Sequence, residues 1–260
     1  MTARFAFLGT SGALTSAARD NTALVFEANE AAVLVDCAGS TVHRLQRLGV
    51  DPLAITHVVV THLHADHAAG LPSMVAQLAL LRRRAPLTIV CRPEHVESLR
   101  TLLTIFNQWA RPERFPLDLT AIDLAVGARA FVTGPLAVST APNEHGAMPN
   151  FAVRVDVAGG RAVVYSSDTV PSDGVVALAR GADVLVHEAT FAERDRGVGP
   201  VTHSSAADAG RVAARAGVPR LILTHVDASY HGDVGALAEE ARAHFAGVVE
   251  VAEELRPYCF

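Results

Sequence analysis

The chain has 260 residues, 50% of them apolar and 19% charged, which is enough to bury a sizeable core. A formal net charge of −5 argues against a surface that grips nucleic acid over its whole extent, although a local basic patch remains open. Three scattered cysteines, Cys37, Cys91 and Cys259, exclude a disulfide framework and fit a reducing compartment.

The opening "MTARFAFLGTSG" lacks the basic region, long apolar region and cleavage site of a signal peptide, and no apolar run reaches the length of a membrane span. A cytoplasmic protein without membrane contact is expected. Short apolar runs then recur, each closed by polar or glycine punctuation. "RFAFLGTSG" reads as a strand entering a turn, and "TALVFEAN" with "AAVLVDCAG" as a hairpin around Asn29 and Glu30. "STVHRLQRLG" has helical spacing with a glycine stop, "THVVVTH" is a strand, and "LPSMVAQLALLRRR" is a helix with Pro72 near its start. "LTIVC" and a helix from about Glu94 to Phe106 repeat the alternation. The Pro-rich stretch from Trp109 to Leu136 is less regular, with "ARAFVT" and "LAVSTAP" as strands. "FAVRVDV" and "RAVVYSS" flank Gly159-Gly160 as a hairpin. "DGVVALARG" (helix), "ADVLVHE" (strand), "SSAADAGRVAARAG" (helix), "PRLILTH" (strand), "DVGALAEEARAHF" (helix) and "VVEVAEE" (strand) complete the chain. Strands and helices alternate with hairpins mixed in, which predicts an α/β fold with mixed sheets. Nothing divides the chain, so residues 1–260 are expected to form one domain.

Metal-type side chains gather where these strands end. "VVVTH" leads to His62, "LAVSTAPNEH" to His145, "AVVYSSD" to Asp168, "ADVLVHE" to His187 and Glu188, and "PRLILTH" to His225. Active sites on α/β scaffolds form at such edges. In "HLHADH", His62 and His64 are two apart. On an extended segment they point the same way and can grip one ion, while Asp66 and His67, past a bend, face a second. Five histidines and two aspartates suit two metals with one bridging carboxylate. Imidazole and carboxylate without cysteine favour zinc, with manganese or iron as substitutes. Two such ions can hold a bridging hydroxide and polarise an ester or phosphoryl oxygen.

"THLHADH" resembles the HxHxDH signature of the metallo-β-lactamase superfamily. His145, Asp168 in "SSDT" and His225 in "LTH" fall in that family's order. "VHEATF" resembles the HEAT motif of the ribonuclease Z branch, shared with some sulfatases, and "THSSAADAG" its histidine-serine-threonine motif. "LGTSGALTSAARDN" is similar to its N-terminal loop. The resemblance implies a four-layer αββα sandwich of two mixed β-sheets with the metals at one edge. It implies one zinc on His62, His64 and His145, another on Asp66, His67 and His225, and Asp168 between them, with Asp66 serving catalysis as well. Asp36 matches an aspartate that braces the metal loop. His203 and Glu188 match a pair at the scissile phosphate, where the carboxylate orients the histidine to donate a proton to the leaving oxygen. His187 is expected to be structural, as are His43, His57, His95 and His244, whereas His231 is a candidate for the pocket wall.

Ribonuclease Z enzymes carry a tRNA-clamping arm between the residues matching His145 and Asp168. Only 22 residues separate the two here, and they read as a plain hairpin. Between Leu81 and Arg114, seven arginines, among them Arg82–Arg84, face three glutamates, which could attract phosphates. The expectation is therefore a dinuclear-zinc phosphodiesterase for a small anionic or cyclic diester, using a metal-bridging hydroxide. The alternatives are hydrolysis of a lactone, thioester, β-lactam or aryl sulfate, tRNA 3′ processing with nucleic acid as the less favoured partner, and a non-catalytic metal-binding module. The resemblance also implies a homodimer.

Overall fold

In the computed structural model, which describes residues 3–111, 113–197 and 202–260, the strands form two seven-stranded sheets. The first contains β1 (Ala3–Gly9), β2 (Ala23–Ala28), β3 (Ala31–Val35), β4 (Ile55–Val59), β5 (Leu87–Cys91) and β6 (Leu117–Ala121) in spatial sequence, with the last strand, β14 (Pro257–Cys259), outside β1. The second runs in the order β13 (Val248–Val251), β12 (Arg220–Thr224), β11 (Val184–Glu188), β10 (Arg161–Tyr165), β9 (Asn150–Val157), β8 (Leu136–Asn143) and β7 (Ala128–Thr133). Each sheet is half antiparallel and half parallel. The β2–β3 and β9–β10 pairs are hairpins, whereas β3 to β6 and β10 to β13 pair in parallel.

The layers follow from the period-two pattern of the strands. On β1, Phe5 and Phe7 point between the sheets, where they meet Phe26, Phe151, Tyr165 and Tyr258. Ala6 and Leu8 point the other way, towards an outer layer that includes α1 (Thr41–Leu48), α3 (Leu71–Leu80) and α4 (Val96–Ile105). The second sheet packs its outer face on α5 (Asp173–Ala179), α6 (Ala206–Ala216) and α7 (Val234–Arg242). The result is the four-layer αββα sandwich. Central strands are apolar on both faces because both are covered.

Local sequence sets the helix ends. Ser205 and Asp208 close a capping box at the start of α6, satisfying amides the helix leaves free. α1 stops at Gly49, whose φ of 78° suits a residue without a side chain. Gly210 lets α6 approach α7, since a Cβ there would lie 2.5 Å from the Ala241 carbonyl oxygen.

Five elements depart from the sequence expectation. β14 and the one-turn helix α2 (Ala65–Ala68) are too brief for a periodic signal, and β6 lies at a sheet edge with every residue exposed or half-buried. The helix expected from Glu94 begins at Val96, after a 3₁₀ turn at Pro93–His95. α3 ends at Leu80, so Arg82–Arg84 lie beyond it. Arg83 is buried and donates to the carbonyls of Ala85, Leu53 and Pro86 at 2.8, 3.1 and 2.6 Å, a latch rather than a phosphate contact.

The bystander histidines behave structurally. His57 stacks on Phe131 with ring centroids 3.9 Å apart, and burial pushes its pKa down to about 4. Buried His95 lies 2.8 Å from the Pro149 carbonyl oxygen, in the 3₁₀ turn that precedes α4 rather than on the helix. His43 is exposed on α1, and His244 falls in the turn after α7 rather than on the helix. Among the described residues no helix is long and apolar enough to cross a membrane.

Candidate metal centre

The site is assembled from the carboxyl ends of strands in both sheets. From the first sheet, β3 delivers Asp36, and the loop after β4 delivers His62 and His64 before α2 brings in Asp66 and His67. From the second, the segments after β8, β10 and β12 deliver His145, Asp168 and His225, and β11 ends in Glu188. His64 is extended at φ −62° and ψ 148°, so the alternation expected of "HLHADH" holds until α2 turns Asp66 and His67 elsewhere.

Two ligand clusters result. His62, His64, His145 and Asp168 offer atoms within 4.8 Å of one another, and so do Asp66, His67, Asp168 and His225. Asp168 belongs to both. Its Oδ2 is 3.1 Å from His225 Nε2, 3.3 Å from His67 Nε2 and 3.7 Å from His62 Nε2. Its Oδ1 is buried without a hydrogen-bond partner among the described residues. A buried carboxylate oxygen left bare is costly, and a cation supplies what it lacks.

The imidazoles are oriented from behind. His67 Nδ1 donates to Asp36 Oδ2 at 2.8 Å, and His145 Nδ1 to the Thr202 carbonyl oxygen at 2.7 Å. His225 Nδ1 lies 3.0 Å from Thr190 Oγ1. Each contact turns the opposite nitrogen inwards, where His62 Nε2 and His145 Nε2 both lie 3.1 Å from His64 Nδ1. Fixing a ligand's tautomer through its outer nitrogen is how metal sites are built. Asp36 also accepts from the Thr61 amide and hydroxyl, each at 2.9 Å, and Ser167 Oγ donates to Thr61 Oγ1 at 2.8 Å. Asp36 is thus a brace and not merely a turn residue.

The backbone is strained at these points. Asp36, Ser167 and His225 have φ of 63°, 53° and 55°, a left-handed region that costs a side-chain-bearing residue about 1–3 kcal/mol. The network around each overcomes that cost, and the turns aim Asp168 and His225 at the centre. Charge follows the same plan. Burial disfavours charge on His62, His64 and His145, whose pKa values are lowered, leaving neutral imidazoles with lone pairs to give. Burial works against an ionised Asp168, yet His225 and His67 outweigh it and hold its carboxyl well below the usual range. Burial likewise opposes charge on His225, but Asp168 raises it to about 10.

Beside the clusters lies the Glu188–His203 pair. Glu188 is fully buried. Its Oε1 accepts from the Thr169 amide at 2.8 Å and from His203 Nδ1 at 3.0 Å, and its Oε2 accepts from Thr190 Oγ1 at 2.8 Å. Burial lowers the affinity of His203 for a proton, but the Glu188 carboxylate outweighs it and the pKa is raised. Sequence reasoning passed over Thr190, although it sits inside the quoted "HEATF". Its hydroxyl touches both Glu188 and His225 and so couples the pair to the metal cluster.

His187 is buried on the same strand, with Nδ1 2.7 Å from the Glu188 carbonyl oxygen, and joins neither cluster. His231 does not line the pocket. It ties the loop after β1 to that after β12, through Ser16 Oγ at 3.0 Å, Ser11 Oγ at 3.2 Å and the Val226 carbonyl oxygen at 3.1 Å. The pocket itself has a volume of about 1000 Å³ and reaches from His64, Asp66, His145, Asp168, His203 and His225 to an outer wall with Phe191, Arg194 and Tyr230. Arg82–Arg84 take no part in it. Its cations come from "ERDR", which the sequence expectation did not single out.

Comparison with known proteins places this geometry. The Beta-lactamase superfamily domain matches residues 31–226. Ribonuclease Z of Halorubrum lacusprofundi is 33% identical over 296 residues, covering 95% of this chain and 94% of the relative. That span exceeds the chain's 260 residues, so the relative carries additional residues within it. Human tRNase Z, short form, superposes with a TM-score of 0.80 at 23% identity, covering 98% of each chain. The metallo-beta-lactamase fold protein YhfI from Bacillus subtilis gives a TM-score of 0.82 at 22% identity, covering both chains fully.

Proposed function

Since the chain belongs to the beta-lactamase superfamily, in its ribonuclease Z family, and is a metal-dependent hydrolase of ester bonds, we propose that it is a two-zinc phosphodiesterase acting on RNA, with residues 1–260 working as one domain. The observation that carries this reading is the Glu188–His203 pair, 3.0 Å apart, standing against two ligand clusters that share Asp168.

In this reading His62, His64, His145 and Asp168 hold one ion, and Asp66, His67, His225 and Asp168 the other. When bound, two such ions acidify water and neutralise charge on the phosphoryl group. The remaining work falls to the protein. Glu188 accepts from His203 Nδ1, so Nε2 is the nitrogen left for the substrate. Glu188 favours a protonated His203 ring, which gives its Nε2 proton to the departing oxygen. Thr190 holds the Glu188 carboxylate in place, and Asp66 sits 3.4 Å from His225 Nε2, where it can also take a proton from the attacking water.

The name carried by the 33%-identical relative moves the proposed substrate from the small diester expected of the sequence towards RNA. A second reading, a small or cyclic phosphodiester, is favoured by one feature. The stretch between His145 and Asp168 is spent on β9, β10 and the short turn between them, which leaves no arm to clamp a folded RNA.

A substrate panel tests both. With zinc present, a 3′-extended tRNA precursor should be turned over with higher kcat/KM than a cyclic nucleotide. An aryl sulfate should be turned over at least about a hundredfold less well, because its phenolate leaves without a proton and gains nothing from the proton-donating pair. A cyclic nucleotide ranking first would establish the second reading, and a lactone or aryl sulfate ranking first would overturn the phosphodiesterase.

A further inference from the structure

We propose that Arg194 is an anion-binding residue of the substrate pocket, and that it selects substrates carrying a second phosphate beside the scissile one. The inference rests on the phosphodiesterase reading and narrows it to chains of nucleotides.

The pocket has two arginines in its wall, Arg194 and Arg196, and the structure treats them differently. Arg196 is spent on the protein. Its Nε and Nη2 meet Glu193 at 2.6 and 2.8 Å, and Nη2 also meets Ser205 at 3.3 Å and Asp208 in a short contact. Arg194 has one light tether, from Nε to Asp195 Oδ2 at 3.5 Å. The Tyr230 hydroxyl donates to that same oxygen. Tyr230 packs against the core under the second sheet, so it fixes Asp195, and Asp195 steers the arginine.

Nη1 and Nη2 of Arg194 have no hydrogen-bond partner among the described residues, and the side chain is 77% exposed. Residues 198–201 carry no charged side chain to pair with it. The other carboxylates of the outer wall, Asp227 and Asp233, stay charged but are turned to local donors and make no ion pair with Arg194. Asp227 holds the Ser229 amide and hydroxyl at 2.9 and 2.6 Å, and Asp233 the Ala236 amide at 3.4 Å. Arg194 therefore presents a planar pair of donors, aimed from one side by a carboxylate, in the same cavity as the ligand clusters. That geometry matches two oxygens of one phosphate. The volume of about 1000 Å³ exceeds the need of a lone phosphodiester. The scissile phosphate belongs to the metal clusters, so the anion at Arg194 is the next phosphate of the same molecule.

The test compares wild type, Arg194→Ala and Arg194→Lys, all zinc-loaded, on three probes. These are a ribodinucleotide with a terminal 5′-phosphate, the same dinucleotide without it, and bis(p-nitrophenyl) phosphate. Wild type should prefer the phosphorylated dinucleotide. Arg194→Ala should raise KM for that probe alone by about tenfold, with kcat nearly unchanged, as expected for loss of a charge-assisted contact. Arg194→Lys should recover part of the preference, keeping the charge but not the two-pronged geometry. An unchanged preference in Arg194→Ala, or an equal loss on all three probes, overturns the proposal while leaving the phosphodiesterase standing. Failure of the wild type to hydrolyse any of the three overturns the phosphodiesterase reading and this one with it.

Discussion

Asp168→Ala should abolish hydrolysis, with kcat/KM on bis(p-nitrophenyl) phosphate falling by more than about a thousandfold. The reasoning starts from position. Among the described residues Asp168 alone belongs to both ligand clusters, so its loss opens both. Charge stabilisation by a metal is worth several kcal/mol, and each ~1.4 kcal/mol is a factor of ten, which gives the magnitude. Removing the carboxylate also takes the one anionic oxygen donor from the cluster of His62, His64 and His145, and one of two from the cluster of Asp66, His67 and His225. The variant should therefore hold less metal after dialysis, measured by elemental analysis, and zinc should lift its thermal midpoint far less than that of wild type. A variant that kept its full metal content and lost only activity would make Asp168 a catalytic group and not a ligand.

His203→Ala should behave differently. Its metal content should match wild type, because His203 belongs to neither cluster that shares Asp168 and leans on Glu188 at 3.0 Å. A positioned general acid is worth about 10²- to 10⁴-fold, and this should appear in kcat on an RNA diester, whose leaving oxygen must be protonated. On bis(p-nitrophenyl) phosphate the leaving group departs as a stable anion, so the loss should be small. That contrast separates proton donation from general damage to the site. Equal losses on both substrates would remove the acid role, and full activity on RNA would remove His203 from the reaction.

Much of this centre is legible in the chain because its chemistry is concentrated at strand ends. A β-branched run that stops at histidine or aspartate announces itself; His62, His145, Asp168 and His225 do so, and His64, Asp66 and His67 follow directly on the first of them. The spacing within "HLHADH" even gives the division between the two clusters, because His62 and His64 precede the helical turn and Asp66 and His67 lie in it. The supporting residues are silent. Thr61, Ser167 and Thr190 are ordinary small polar residues in sequence, and only the fold brings Thr61 and Ser167 within 2.8 Å across 106 positions.

The arginines are misleading for a related reason. "RRR" is a strong composition signal, yet Arg83 is buried on three carbonyl oxygens and Arg82 and Arg84 are not part of the pocket lining. Arg194, one of two in an unremarked "ERDR", lines it. Sequence carries charge but not direction, and direction here is set by a turn between β11 and α6. The strands β6 and β14 escaped notice because β6 is an edge strand whose residues, LDLTA, are all exposed or half-buried and so form no apolar run, while β14 has only three residues.

Stepwise return of zinc to metal-free protein tests the two-metal phosphodiesterase most directly, with bound metal and bis(p-nitrophenyl) phosphate hydrolysis followed together. Two clusters sharing one carboxylate predict that activity climbs to a plateau at two equivalents per chain. A plateau reached at one equivalent, or two ions bound with no hydrolysis, would contradict it.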